Sequence, residues 1–249
     1  MHEGKNEMTA HSDQSGTEEL KPVSEEQLAQ QLAYYSSRAE EYDDWWLRRG
    51  SFDRGDSANE QWFREAGLVR SALDSTDLGG DVLELAPGTG TWSIHLAPRA
   101  RQLLLVDGSA EMLARNPVAG LENVRTEIAD LFTWETAQRF DAIVFTFWIS
   151  HVPRERLTSF FASVGTWLRT GGSVFFVDDM PVAATEPHVA AAAATEQTMV
   201  RRLNSGASAT IVKNFYSADE LGAAATAAGI ELEVRDSGTL FQYGIGRKR

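Results

Sequence analysis

The stretch VLELAPGTGTW, residues 82–92, decides the fold. Its aliphatic run reads as a buried strand, and Gly88 and Gly90 then bracket a tight loop. In an open α/β sheet, ligands bind outside the carboxyl ends of the strands, so the loop 86–90 is a candidate binding element. Its glycines let a ligand approach the backbone, and a helix opening near Thr91 offers free N–H groups. Pro87 stiffens the loop, removes one donor and holds Ala86 extended. A dinucleotide loop would carry a third glycine where this chain has Ser93, and the carboxylate of Glu84 gains nothing beside a pyrophosphate. Glu84 suits a cationic ligand, or loop N–H groups in want of an acceptor.

Outward from this stretch, short apolar runs alternate with helical segments: DVLELA, RQLLLVDG, VRTEIAD, FDAIVFTFWI and GGSVFFVDD. The alternation predicts an α/β fold with a doubly wound, mostly parallel sheet covered on both faces. An alanine-rich helix after Pro187, a strand-like ATIVKNF and a helix opened by Ser217 with Glu220 follow. IELEVRDSG and TLFQYGIGR then read as strands paired antiparallel through a turn at 236–238. Upstream, Ser24 with Gln27 caps one long helix through EEQLAQQLAYYSSRAEEYDDWWLRR. Ser57 with Glu60 caps a second, which Gly79 and Gly80 close. Residues 1–23 have almost no apolar side chains and are expected to be a disordered acidic tail. A single domain is expected over 24–249, with N-terminal helices at 24–80, a core at 81–180, an insertion at 181–216 and a C-terminal helix and strand pair at 217–249.

The 249 residues, 43% of them hydrophobic, suit one globular domain, and no run approaches the ~18 apolar residues of a membrane span. No apolar signal core follows Met1, so a cytoplasmic location is expected, away from membranes. The absence of cysteine excludes thiolate nucleophiles, disulfides and cysteine-ligated metals. A formal charge of −13 repels phosphate backbones, which argues against nucleic acid and for a small-molecule partner.

LELAPGTG resembles the first motif of class I S-adenosylmethionine-dependent methyltransferases, and three further motifs follow in order over residues 81–180. The resemblance implies a Rossmann-like sheet of seven strands with an antiparallel last strand, and S-adenosyl-L-methionine as cofactor. On it, Glu84, Ala86, Gly88 and Gly90 belong to the cofactor loop, with Ala86 standing where the commoner pattern has glycine. VDGSAEML resembles the second motif: Asp107 would accept the ribose hydroxyls, with Gly108 and Met112 beside the adenosine. IADLFTW resembles the third and places Asp130 near the adenine amino group and Leu131 beside the ring. FDAIVFTFWISHVP resembles the fourth, with Phe147 bordering the methionine end and Trp148 the acceptor. YYSSRAEEYDDWW resembles the lid helix of small-molecule members. There Arg38 would meet the methionine carboxylate, and Tyr34, Tyr35 or Tyr42 would close over the sulfonium, Tyr35 on the cofactor and Tyr42 toward the acceptor. The alternative is a helix packed by its aromatic stripe with Arg38 solvated.

Methyl transfer is an in-line displacement, so catalysis consists largely of orienting a nucleophile. His151 follows the fourth strand, and its ordinary pKa near ~6.5 suits a general base; otherwise it is a structural group that caps the strand or bonds Asp178. Asp178 and Asp179 end the fifth strand, and alternation lets at most one face the acceptor; without further clustered ligands they make no metal site. The long insertion is read as a substrate roof, in which Arg201, Arg202 and Lys213 could anchor an acidic acceptor such as a carboxylate or phosphonate. A helix C-terminus and a strand edge account for the same cations without function. The reading is O-methylation of a small-molecule acceptor of secondary metabolism. N-methylation of an amine, a non-catalytic cofactor-binding protein and a nicotinamide dehydrogenase are the alternatives.

Overall fold

The computed structural model describes residues 21–181, 197–202, 206 and 208–249. Three helices lead: α1 (Glu25–Arg38), α2 (Tyr42–Trp46) and α3 (Asp56–Ser75). The core then runs β1 (Asp81–Leu85), α4 (Ser93–Leu96), β2 (Gln102–Asp107), α5 (Ala110–Leu113), β3 (Val124–Ile128), β4 (Phe140–Thr146), α6 (Leu157–Trp167) and β5 (Leu168–Asp179). A hairpin of β6 (Thr198–Arg202) and β7 (Ser208–Val212) follows, and α7 (Ala218–Ala227), β8 (Ile230–Asp236) and β9 (Phe241–Lys248) end the chain. The large sheet has the order β3-β2-β1-β4-β5-β9-β8, and β9 alone runs antiparallel to its neighbours. Strand order reverses at β1, so the carboxyl ends of β1 and β4 frame the crevice where such sheets bind ligands.

Both faces of the sheet are covered, which is why its central strands read as unbroken apolar runs. Phe145, Phe176 and Leu85 pack beneath α6 and α7 with Phe160, Phe161 and Leu221. On the other face Val82, Val144 and Phe175 pack beneath α3 and α4 with Val69, Leu73 and Leu96. Each such side chain, taken from water, contributes about 1.5–3 kcal/mol. The Phe145 and Phe176 rings stack 5.6 Å apart, and Gly244 of β9 carries no side chain because a Cβ there would overlap the Phe176 ring.

Several expectations give way to tertiary packing. The long N-terminal helix breaks at 39–41 and restarts as α2. There Trp45 lies 4.9 Å from Phe147 and Trp46 lies 5.6 Å from Trp92, aromatic burial that a continuous helix would forfeit. α3 begins at Asp56, not behind a Ser57 cap: Asp53 Oδ1 accepts the Gly55 N–H at 2.9 Å and Asn59 Nδ2 at 2.7 Å. It ends at Ser75, and Gly79 and Gly80 serve instead to pass the chain close to Asp141, whose Oδ2 accepts the Gly80 and Asp81 N–H groups at 3.0 and 2.8 Å. The helix after the loop opens at Ser93 and is four residues long. ATIVKNF supplies β7, but β6 pairs with it, so the described residues of the insertion hold two strands where the sequence suggested one. The alanine-rich helix and residues 1–20 of the expected tail lie outside the described residues. Val23 is buried, with its N–H donated to Glu155 Oε1 at 2.7 Å, so the chain is tied down by that point. Among the described residues no helix is long and apolar enough to cross a membrane.

Candidate active site

β1 carries Glu84 into the sheet with no exposure to solvent, and the loop is built over it. Glu84 Oε2 accepts the Ser93 hydroxyl at 2.6 Å, and Ser93 Oγ accepts Asn116 Nδ2 at 3.0 Å. Asn116 packs against Gly90, whose φ is +90° and where a Cβ would lie 2.5 Å from Asn116 Oδ1. Serine stands in place of a third glycine because its hydroxyl links the strand carboxylate to this anchor. Glu84 Oε1 has no hydrogen-bond partner among the described residues. Burial pushes the Glu84 carboxyl up to about 8, with the Ser93 hydrogen bond opposing and the Asp107 charge adding.

Asp107, at the end of β2, fastens the loop from the other side: Oδ2 accepts the Gly88 N–H at 2.9 Å and Oδ1 the Ser109 N–H at 2.8 Å. Burial raises its carboxyl above the usual range against the pull of those backbone donors. Ala86 is not extended as its place before Pro87 predicts. Its φ is +51°, because its N–H continues the ladder onto Val106 O at 2.9 Å while the chain turns to bring Gly88 onto Asp107. Phe147 shares the left-handed conformation at +53°, fixed by its N–H on Val177 O at 2.7 Å. Such backbone costs about 1–3 kcal/mol per residue and gathers at functional sites.

Ala86 and Phe147 line one cavity of about 260 Å³ at the carboxyl edge of the sheet. Gly88, Asp107 and Gly108 reach it from the strand ends, and Asp130, Leu131 and Trp148 from the segments after β3 and β4. α5 contributes Met112, α1 and α2 contribute Tyr35 and Tyr42, and the turn 149–151 contributes His151. The sequence reading missed Leu28, Leu32, Phe132 and Thr146, which also line it. Leu28 and Leu32 stand on the same helical stripe as Tyr35, at spacings of four and three, and were legible there. Glycine at 108 admits the lid: a Cβ would lie 2.9 Å from Leu32 Cδ1.

His151 Nδ1 lies 2.6 Å from Val212 O and Nε2 lies 2.7 Å from the Tyr35 hydroxyl. A carbonyl only accepts, so Nδ1 carries the proton and Nε2 accepts from Tyr35. Burial, reinforced by the Lys213 charge, drives the imidazole from its expected value down to about 3. His151 is therefore a neutral acceptor at neutral pH, and it does not bond Asp178.

Asp178 and Lys213 do not line the cavity. Lys213 Nζ donates to Asp178 Oδ1 at 3.2 Å, Asp179 Oδ2 at 2.9 Å and Ser150 Oγ at 2.9 Å. Both acids thus reach one cation, the long lysine stem extending between them at the strand end, and neither lines the cavity. Burial pulls the ammonium down, yet the two carboxylates hold it above its ordinary value. Arg38 is neither solvated nor in the cavity; it is buried, its guanidinium carbon 5.3 Å from the Tyr42 ring centroid and 5.4 Å from that of Phe52. Glu84 and Gly90 act from behind the loop. Arg202 pairs through its backbone with Ser208, and its side chain lies outside the described residues.

A family model described as a methyltransferase domain matches residues 60–234. The structure of DhpI in complex with SAM and HEP is similar over 90% of this chain and 99% of that one, with 34% identity and a TM-score of 0.74. The DhpI–SAH complex is similar over 91% and 98% of the two chains, with 33% identity and a TM-score of 0.73. The N-methyltransferase NodS from Bradyrhizobium japonicum WM9, solved with S-adenosyl-L-homocysteine, shares the fold at 15% identity and a TM-score of 0.59, over 88% and 98% of the chains. Chondramide synthase cmdD from Chondromyces crocatus is 32% identical over 106 residues, which make up 39% of this chain and 3% of that much longer protein. Because the model runs from α3 into β8 and the DhpI likeness extends over nearly the whole of both chains, this chain belongs to the methyltransferase domain family, in its class I Rossmann-like form.

Proposed function

We propose that the chain is an S-adenosylmethionine-dependent methyltransferase of the secondary-metabolite type, moving a methyl group to an oxygen of a small-molecule acceptor. The observation that carries this reading is Asp107. Its oxygens accept the Gly88 and Ser109 N–H groups at the cavity wall, with the Gly108 N–H also acting on the carboxylate, and the lone pairs these leave suit the hydroxyls of a ribose. The other residues suit the same ligand. Gly88 and Ala86 leave the backbone approachable for its amino-acid end, and Glu84 Oε1 behind the loop, without a partner among the described residues, favours a cation there. Asp130 and Leu131 offer an acceptor and an apolar face to adenine, and Tyr35 and Tyr42 come from the lid to cover the sulfonium. When bound, the cofactor supplies an electrophilic methyl carbon.

The remaining work falls to this chain. The β6–β7 hairpin is read as the roof of the acceptor side, held to the lid by Gln31 Oε1, which accepts the Val212 N–H at 2.9 Å. The Val212 carbonyl fixes the His151 tautomer, so the Nε2 lone pair is presented where Tyr35 now donates. An acceptor hydroxyl that takes the place of Tyr35 delivers its proton to Nε2 as its oxygen gains the methyl. The low basicity of His151 favours a second reading, methylation of a neutral amine, which needs a lone pair and no base.

The test is transfer of isotopically labelled methyl from S-adenosylmethionine into a fractionated small-molecule extract, with the labelled product assigned by NMR. An O-bound methyl, with turnover in His151→Ala lower by about 10²–10⁴-fold, is expected. An N-bound methyl with turnover retained in His151→Ala would select the amine.

A further inference from the structure

The roof hairpin carries two cations in different circumstances. Lys213 is buried and answered by Asp178 and Asp179. Arg201 is half-buried, and among the described residues no carboxylate pairs with it. Its direction follows from the ladder. Arg201 lies opposite Ala209, as Met199 lies opposite Ile211, and cross-strand partners share a face of a two-stranded sheet. That face packs on the lid: Met199 and Ile211 bury Tyr34, with Tyr35 and Ala209 against them. Arg201 therefore stands on the side of the hairpin that meets Tyr35, which bonds His151 at 2.7 Å. Consistent with this, its charge is felt at Tyr35, His151 and Lys213.

A half-buried arginine with no counter-charge among the described residues, in a chain of formal charge −13, is costly unless something answers it. Its planar fork suits two oxygens of one anion. We propose that Arg201 is a specificity-determining residue that binds an anionic group of the methyl acceptor, a carboxylate or a tetrahedral oxyanion, and so presents the neighbouring nucleophile to His151. This rests on the reading of the His151 cavity as the methyl-transfer site. The arginine takes the anchoring role that the sequence shared among Arg201, Arg202 and Lys213. Lys213 is excluded because its three donors are already taken by Asp178, Asp179 and Ser150.

The experiment is a calorimetric titration of the full chain, first with S-adenosylhomocysteine and then, at saturation and constant ionic strength, with inorganic phosphate, benzoate and neutral benzamide. Phosphate or benzoate is expected to bind saturably and benzamide not. Arg201→Met is expected to weaken the anion about 10–100-fold, with the affinity for S-adenosylhomocysteine unchanged as its control for folding. Arg201→Lys, which keeps the charge and loses the fork, should fall between the two. The anchor is overturned if neither anion saturates, or if Arg201→Met binds the anion as the wild type does. Failure of S-adenosylhomocysteine itself to bind would overturn the methyl-transfer reading, and the anchor with it.

Discussion

Glu84 is held at about 8 by burial, so its carboxyl is protonated in the free protein at pH 7. A cationic ligand end behind the loop draws that value down, so binding at pH 7 should expel close to one proton and tighten as the pH rises toward 8. Calorimetry with S-adenosylmethionine in two buffers of different ionisation enthalpy reads the release directly. A buffer dependence in the wild type that vanishes in Glu84→Gln is expected; equal enthalpies in both buffers for the wild type would show that Glu84 does not respond to the ligand. His151 offers a second test at this scale. Nitrogen-detected NMR should find the Nδ1–H tautomer and no titration between pH 5 and 8, as a pKa near 3 requires. A proton on Nε2, or a midpoint near ~6.5, would refute the Val212–His151–Tyr35 chain.

The elements over the sheet are joined to it by polar contacts that fix where they sit. Lys213 fastens the end of β7 to the end of β5 through Asp178 and Asp179, and the neighbouring Val212 carbonyl is the one that fixes His151. Lys213→Met strands the buried Asp178 and the part-buried Asp179 carboxylates and should cost about 3–5 kcal/mol in denaturant unfolding. Lys213→Met combined with Asp178→Asn and Asp179→Asn should recover much of that loss, since no buried charge is then left unpaired. If Lys213→Met alone is as stable as the wild type, the cluster does not hold the hairpin. On the other side, α2 is secured by its tryptophans against Trp92 and Phe147, and this brings Tyr42 to the cavity.

For the molecule as a whole, His151 and Glu84 act in opposite senses on stability. The folded-state value of His151 is depressed, so the unfolded chain binds the extra proton; its contribution is complete above ~6.5 and is lost as pH falls toward about 3. The value of Glu84 is raised, so its contribution is complete below ~4.5 and is lost as pH rises through about 8. In Tm measured from pH 5 to 9, His151→Gln should flatten the acid limb relative to wild type and Glu84→Gln the alkaline limb. Parallel curves for all three proteins would contradict both assignments. The sheet was legible in the sequence because its strands are buried on both faces, and the capping boxes of α1 and α7 announced those helices. So were the twelve predicted residues that reach the cavity, since each sits at or just past a strand end or on the lid. What sequence could not supply was the company a charge keeps. Lys213 and Arg201 look alike in a linear reading, and only the fold puts two carboxylates on one of them.

Asp107 is the proposed seat of the cofactor, on which the other assignments depend. The measurement that tests it most directly is a calorimetric titration of wild type and Asp107→Ala with S-adenosylmethionine and S-adenosylhomocysteine, with NAD as the control. Saturable binding of the first two and not of NAD, weakened about 10–100-fold by Asp107→Ala, is the predicted result. Unchanged affinity in Asp107→Ala, or binding of NAD in place of the other two, would contradict it.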